Sequence, residues 1–159
     1  VTLQPGSSFP NIPLQDQAGR RASLPGGTVL YGFFKTSCPT CELAWPYLDR
    51  VRQAGEGSDF SVWGVSQDDP EATENFSRRL GLSMPTLYDP NPWPASNRLG
   101  LTTVPTFLVV GPDGRIQDET TGFQRRKMEE WAELAARLAG RPAPKLFGPD
   151  EKVPAIKPG

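Results

Sequence analysis

The hydrophobic positions of this chain fall in short runs whose spacing changes repeatedly, and the changes predict alternating strands and helices. Thr28 to Phe34 (TVLYGFF) is seven residues of near-continuous apolar, β-forming character, as expected of a strand buried on both faces of a parallel sheet. Beyond Thr36 and Ser37, each a candidate helix cap, the period becomes helical. Leu43, Tyr47, Leu48 and Val51 fall on one side before Gly55 stops the pattern, and Pro46 is expected to kink the helix. Phe60 to Val65 (FSVWGV) reads as a second strand. Asp69 as cap and Pro70 at the first helical position then open a helix ending near Gly81. A short strand at Thr86 to Tyr88, a proline-rich loop from Asp89 to Pro94 and a short helix to Leu99 lead to a strand at Thr106 to Val110. The turn Gly111-Pro112-Asp113-Gly114 joins that strand antiparallel to Arg115-Ile116-Gln117. Gln124 to Leu138 is amphipathic, with Met128, Trp131, Leu134, Ala135 and Leu138 spaced to face the sheet and Gly140 ending the helix.

At the N-terminal side, Phe9, Ile12 and Leu14 alternate with polar positions ahead of an Asp16-Gln17-Ala18-Gly19 turn, which predicts a β-hairpin. From Arg141 onward Pro142, Pro144, Pro149, Pro154 and Pro158 predict a tail without regular structure, either laid along the domain or disordered. The division expected is a domain over residues 1–140 and an extended tail over 141–159. The fold class expected is α/β, a central mixed sheet flanked by helices.

At 159 residues the chain is long enough for one sizeable core. Its formal charge of -1 gives no electrostatic reason to expect nucleic acid or an anionic membrane as partner. No stretch approaches the ~20 apolar residues of a membrane span, so a soluble chain is expected. No targeting segment is evident, and the compartment, cytoplasmic or extracytoplasmic, stays open. The absence of histidine removes His-based acid–base catalysis, His metal ligands and Ser-His triads together. Two cysteines cannot complete a four-ligand zinc site, and Glu42 after Cys41, where haem attachment needs His, excludes that cofactor. Neither a metal nor a cofactor is expected.

What remains is the pair Cys38-Pro39-Thr40-Cys41 at the start of the first helix. Backbone N–H groups of the first turn point at the first sulfur, and their partial positive charge favours a thiolate there. Cys38 is therefore the candidate nucleophile. Cys41, one turn deeper, is the candidate resolving thiol, attacking the mixed disulfide from within. Pro39 removes one N–H from the turn, and Thr40 offers a hydroxyl and an N–H in its place. Lys35 and Glu42 are candidates for tuning the first thiol in opposite senses or for moving protons. A structural staple is the bland alternative, but a disulfide closing so short a loop adds little stability.

These residues, with their surroundings, resemble the thioredoxin superfamily, and within it the TlpA-like and redoxin (AhpC/TSA) branch. The resemblance covers about residues 6–140 and is carried by Phe34 to Cys41, Pro46, Gly64-Val65-Ser66 and Thr103-Val104-Pro105-Thr106. It implies a thioredoxin-like fold in which the helix and strand between Pro70 and Tyr88 are the redoxin-type insertion. It implies thiol–disulfide exchange with protein or small-molecule dithiol or disulfide substrates and a redox partner protein, by a monomer. It also implies a cis bond before Pro105, turning the backbone of Val104 toward an extended substrate beside the sulfurs. Two positions depart from the family: Gly32 stands where thioredoxins bury an acid beneath the resolving cysteine, and Ser37 where they carry Trp. Ala44 replaces the Glu of many TlpA-like proteins, leaving Glu42, Asp68 or water as candidate proton acceptors for Cys41. A peroxiredoxin-type peroxidase is the main rival, but its required Thr and Pro ahead of the cysteine are here Lys35 and Tyr31. The other rival is a non-catalytic binding module using Trp93 and the tail; among the four tryptophans, Trp93, between Pro92 and Pro94, is the one least readily read as core.

Overall fold

The computed structural model describes residues 3–159. The seven-residue apolar run is strand β1 (Thr28–Phe34), buried along its whole length at the centre of a five-stranded sheet. Helix α1 (Pro39–Ala54) returns the chain to β2 (Phe60–Ser66), parallel to β1 with Gly32 opposite Gly64. Helix α2 (Pro70–Leu80) and β3 (Thr86–Tyr88) extend the parallel part outward. The short α3 (Pro94–Arg98) then carries the chain to β4 (Thr106–Val110), antiparallel to β1 on its other side. Strand β5 (Ile116–Thr121) closes the order β3-β2-β1-β4-β5. It runs four residues further than the alternation around Ile116 suggests, because its exposed polar positions Gln117 and Thr121 hide the pairing with β4.

Because side chains alternate along a strand, β1 feeds two cores. Leu30 and Phe34 point to the side covered by α1 and by α4 (Arg125–Leu138), while Val29, Tyr31 and Phe33 meet Ile12, Leu14, Leu99 and Leu108 on the other. The N-terminal hairpin is minimal. Gln15 bridges Arg21 around the Asp16–Gly19 turn, and its other bridge, to Tyr88, fastens the turn to β3. Asp69 caps α2 as expected, accepting from the Ala72 N–H at 2.8 Å. Pro46 lies inside a helix assigned without a break from Pro39 to Ala54. In α4 one expectation fails: Leu138 is 45% exposed, and Ala132 and Ala136 are buried beside Met128, Trp131 and Ala135. Leu138 closes the last turn, past the end of the surface that the helix covers.

Gly32 has a packing reason. A Cβ added there would lie 3.0 Å from the Trp45 ring and 3.1 Å from Leu48 Cδ2, so the fully buried indole fills the space that a side chain at this position would need. Gly32→Ala is expected to cost about 1–3 kcal/mol through overpacking, as a lowered urea midpoint with an unchanged slope.

The tail departs most from expectation, since part of it is regular. Leu146 and Phe147 are buried in the α1–α4 core, with Phe147 4.6 Å from the Tyr47 ring. Glu151 accepts from both Arg50 Nη atoms (2.7 and 2.9 Å), from Tyr47 Oη at 3.1 Å and from the Gly148 N–H at 2.8 Å. These donors, Arg50 foremost, pull its carboxyl down to about 2. Beyond it, β7 (Ile156–Lys157) pairs antiparallel with β6 (Phe123–Gln124). Prolines are compatible with this strand because Pro154 and Pro158 flank it, leaving Ala155, Ile156 and Lys157 to make the ladder. Gly122 makes the close approach possible: its φ is +72°, and a Cβ there would meet the Lys157 carbonyl at 2.9 Å.

Candidate active site

The loop leaving β1 is pinned before it reaches the cysteines. Asp68, just after β2, accepts from the Thr36 N–H at 2.7 Å and from Thr36 Oγ1 at 2.9 Å, tying the two strand ends together. Neither Thr36 nor Ser37 caps α1. The cap is Cys38 itself, in extended conformation, with its sulfur accepting from the Cys41 N–H at 3.1 Å. The helix N-terminus is thus closed by a cysteine sulfur in place of a hydroxyl or carboxylate.

The two sulfurs differ sharply in environment. Cys38 is half-buried, whereas Cys41 is 0% exposed and packs with Ala44, Trp45 and Phe34 in the α1 core. Burial, followed by the adjoining Cys38 sulfur, pushes the Cys41 thiol far above its ordinary range. In native reduced protein, iodoacetamide at about pH 8 is therefore expected to label one thiol per chain, Cys38, with Cys41 labelled only on unfolding; peptide mapping checks the assignment.

The same burial has a consequence for stability. Folded Cys41 keeps its proton where the unfolded thiol ionises, near its ordinary value of about 8.5. Unfolding then releases a proton that folding retains, so this contribution is complete below about pH 8.5 and declines above it, by up to about 1.4 kcal/mol per pH unit. Tyr31, pushed up to about 12 by burial, acts in the same sense at higher pH. Urea unfolding of the reduced protein between about pH 7 and pH 10 should show a steeper loss than Cys41→Ala does; equal slopes would contradict a protonated interior thiol.

Opposite Cys38 the Val104–Pro105 bond is cis, and the Cys38 thiol donates to the Val104 carbonyl at 3.6 Å. Lys35, Cys38, Pro39 and Val104 line one groove of about 470 Å³. Pro105, next to Val104 in sequence, is buried and does not line the groove. Thr40 is buried and does not itself line the groove; its hydroxyl donates to the Pro158 carbonyl at 2.7 Å. Glu42 is exposed and held by Arg79 of α2 at 2.7 Å, without a hydrogen bond to either sulfur. Among the described residues no group of three or more potential ligands is placed to hold a metal ion, and no helix is long and apolar enough to cross a membrane.

The far wall of the groove is formed by Trp93, which the sequence offers only as the contact surface of a non-catalytic module. Trp93, in left-handed conformation at φ 55°, donates from Nε1 to the Gln67 carbonyl at 2.9 Å, and Lys35 Nζ sits 4.2 Å from the centre of its ring. The Pro92-Trp93-Pro94 triplet was its only signal. Gly159 also lines the groove; the tail, too, enters the sequence reading only as part of that contact surface.

A mixed sheet of this order, with helices on both faces and a cysteine pair heading its first helix, defines a thioredoxin-like protein. The fold agrees with that of a thiol-disulfide isomerase from Corynebacterium glutamicum (TM-score 0.67, 19% identity, covering 84% of this chain and 97% of that one). The chain belongs to the AhpC/TSA family, whose match spans residues 5–119. Among curated proteins it is similar to the thiol-disulfide oxidoreductase ResA of Halalkalibacterium halodurans, at 28% identity over 81% of this chain and 76% of that protein. It is also similar to ResA of Bacillus subtilis, at 24% identity over 80% and 73%.

Proposed function

We propose that this chain is a thiol–disulfide oxidoreductase working through Cys38 and Cys41, with protein disulfides or dithiols as substrates and a second redox protein to restore it. The observation that carries this reading is the asymmetry of the pair: one sulfur caps the helix at the wall of a groove, and the other is sealed one turn beneath it. In the reducing direction the Cys38 thiolate attacks a substrate disulfide, forming a mixed disulfide and releasing one substrate thiol. Cys41, losing its proton, then attacks the Cys38 sulfur and expels the second substrate thiol, so two electrons and two protons leave the protein and the Cys38–Cys41 disulfide remains. The reverse sequence oxidises a dithiol. Once the Cys38 thiol is deprotonated, the Val104 carbonyl loses its donor and becomes free to accept an N–H from an extended substrate backbone.

For the proton on Cys41, Asp68 is tied to Thr36 and Glu42 to Arg79, which favours water entering beside Cys38 over either carboxylate. A peroxidase is disfavoured by what occupies its required positions: Lys35 lies on Trp93, and Tyr31 faces the opposite core. The protein acts as a monomer in this reading, consistent with Leu138 and Ile156 being the exposed large hydrophobics among the described residues. Reduced protein mixed with 2-hydroxyethyl disulfide should lose both thiols and release two equivalents of 2-mercaptoethanol per chain; retention of both thiols at equilibrium would refute the function.

A further inference from the structure

Pro158 and Gly159 lie beside the Val104 carbonyl, to which the oxidoreductase reading assigns substrate binding, and beside Thr40 of the cysteine turn. Thr40, inside the cysteine pair, donates its hydroxyl to Pro158 O at 2.7 Å. Gly159 packs so closely on the Val104 carbonyl that a Cβ there would collide with it and would stand 2.7 Å from Thr103 Oγ1. Val104 O is the same carbonyl that receives the Cys38 thiol. The segment reaches this place as an extended strand on β6, with the Arg125 N–H donating to Ala155 O at 2.9 Å. Its attachment is uneven. Glu151 and Phe147 are held from several sides, whereas β7 is two residues long, its Ile156 is 67% exposed and Gly159 is exposed at the groove. Short, solvent-exposed ladders open at far lower free energy than a core does.

We propose that Val153–Gly159 is a displaceable strap that occupies part of the path of an extended polypeptide past Cys38, so that polypeptide disulfides must displace it and small disulfides need not. The strap carries no cysteine, so it blocks without reacting. Lys35 and Trp93 line the same groove as Cys38, and a small disulfide needs only this opening to reach the sulfur. The inference rests on the oxidoreductase reading and adds a selection between substrate classes.

The test compares the full chain with one ending at Lys152, which keeps Leu146, Phe147 and Glu151, and with Lys157→Pro. Because Arg125 and Ala155 form a hydrogen-bonded position, Phe123 and Lys157 form the next one, and proline at 157 removes its donor. Each reduced protein is mixed with a linear peptide dimerised through one central cysteine and, separately, with 2-hydroxyethyl disulfide. Both variants should raise kcat/KM for the peptide, by about tenfold if the strap is open in roughly one molecule in ten, and leave the small disulfide within about twofold. Peptide rates that stay the same or fall in both variants would overturn the strap, as would equal changes for both substrates, which would mean that the tail tunes the sulfur itself. A wild-type protein that reduces neither substrate would instead remove the oxidoreductase reading.

Discussion

Cys38→Ser is expected to lower the rate of disulfide reduction by about 10³-fold or more, because a serine hydroxyl is not ionised near neutral pH and forms no disulfide. The fold should survive. Serine is a good N-cap, and its oxygen can accept from the Cys41 N–H as the sulfur does at 3.1 Å, so stability should stay within about 1 kcal/mol of wild type. Loss of turnover with an unchanged unfolding midpoint separates chemistry from structure. If the variant reduced 2-hydroxyethyl disulfide at a substantial fraction of the wild-type rate, Cys38 would not be the attacking group.

Cys41→Ala should have the opposite phenotype, capture without release. Its Cys38 still attacks, but no interior thiol is left to displace the captured group, so the mixed disulfide accumulates toward one equivalent per chain. The substitution removes a sulfur from a fully buried position among Ala44, Trp45 and Phe34. A modest loss of stability is expected, on the order of 1–2 kcal/mol. Intact mass under non-reducing conditions reads the adduct. Failure to accumulate it, with Cys38 still open to alkylation, would mean that Cys41 is not the resolving thiol.

Most of the architecture was legible because the apolar spacing changes where the chain changes element. Val29 to Phe34 reads as buried on both faces because it is, and Asp69-Pro70 marks the start of α2 through its cap. Cysteine is not a usual capping residue, so the hydroxyls of Thr36 and Ser37 drew attention from the thiol that caps α1. Strand β5 extends past Gln117 because backbone pairing with β4, and not an apolar face, defines its outer half. The tail was illegible for a related reason. Pro154 and Pro158 argue against a strand on average, yet the ladder needs donors only from residues between them, and its partner, Phe123-Gln124, lies far away in sequence. In the site, the cis bond before Pro105 was legible because only an X-Pro bond adopts cis cheaply, and the place of the cysteine pair at the head of α1 because the period turns helical there. Trp93 and Gly159 reach the groove through tertiary placement alone.

The central claim, that Cys38 and Cys41 form one redox unit, is tested most directly by equilibrating the protein in glutathione buffers of graded potential and counting free thiols after quenching in acid. Both thiols should disappear together in a single two-electron transition, with negligible glutathione adduct. Persistence of two free thiols across the series, or a stable glutathione adduct on Cys38 beside a free Cys41, would contradict it.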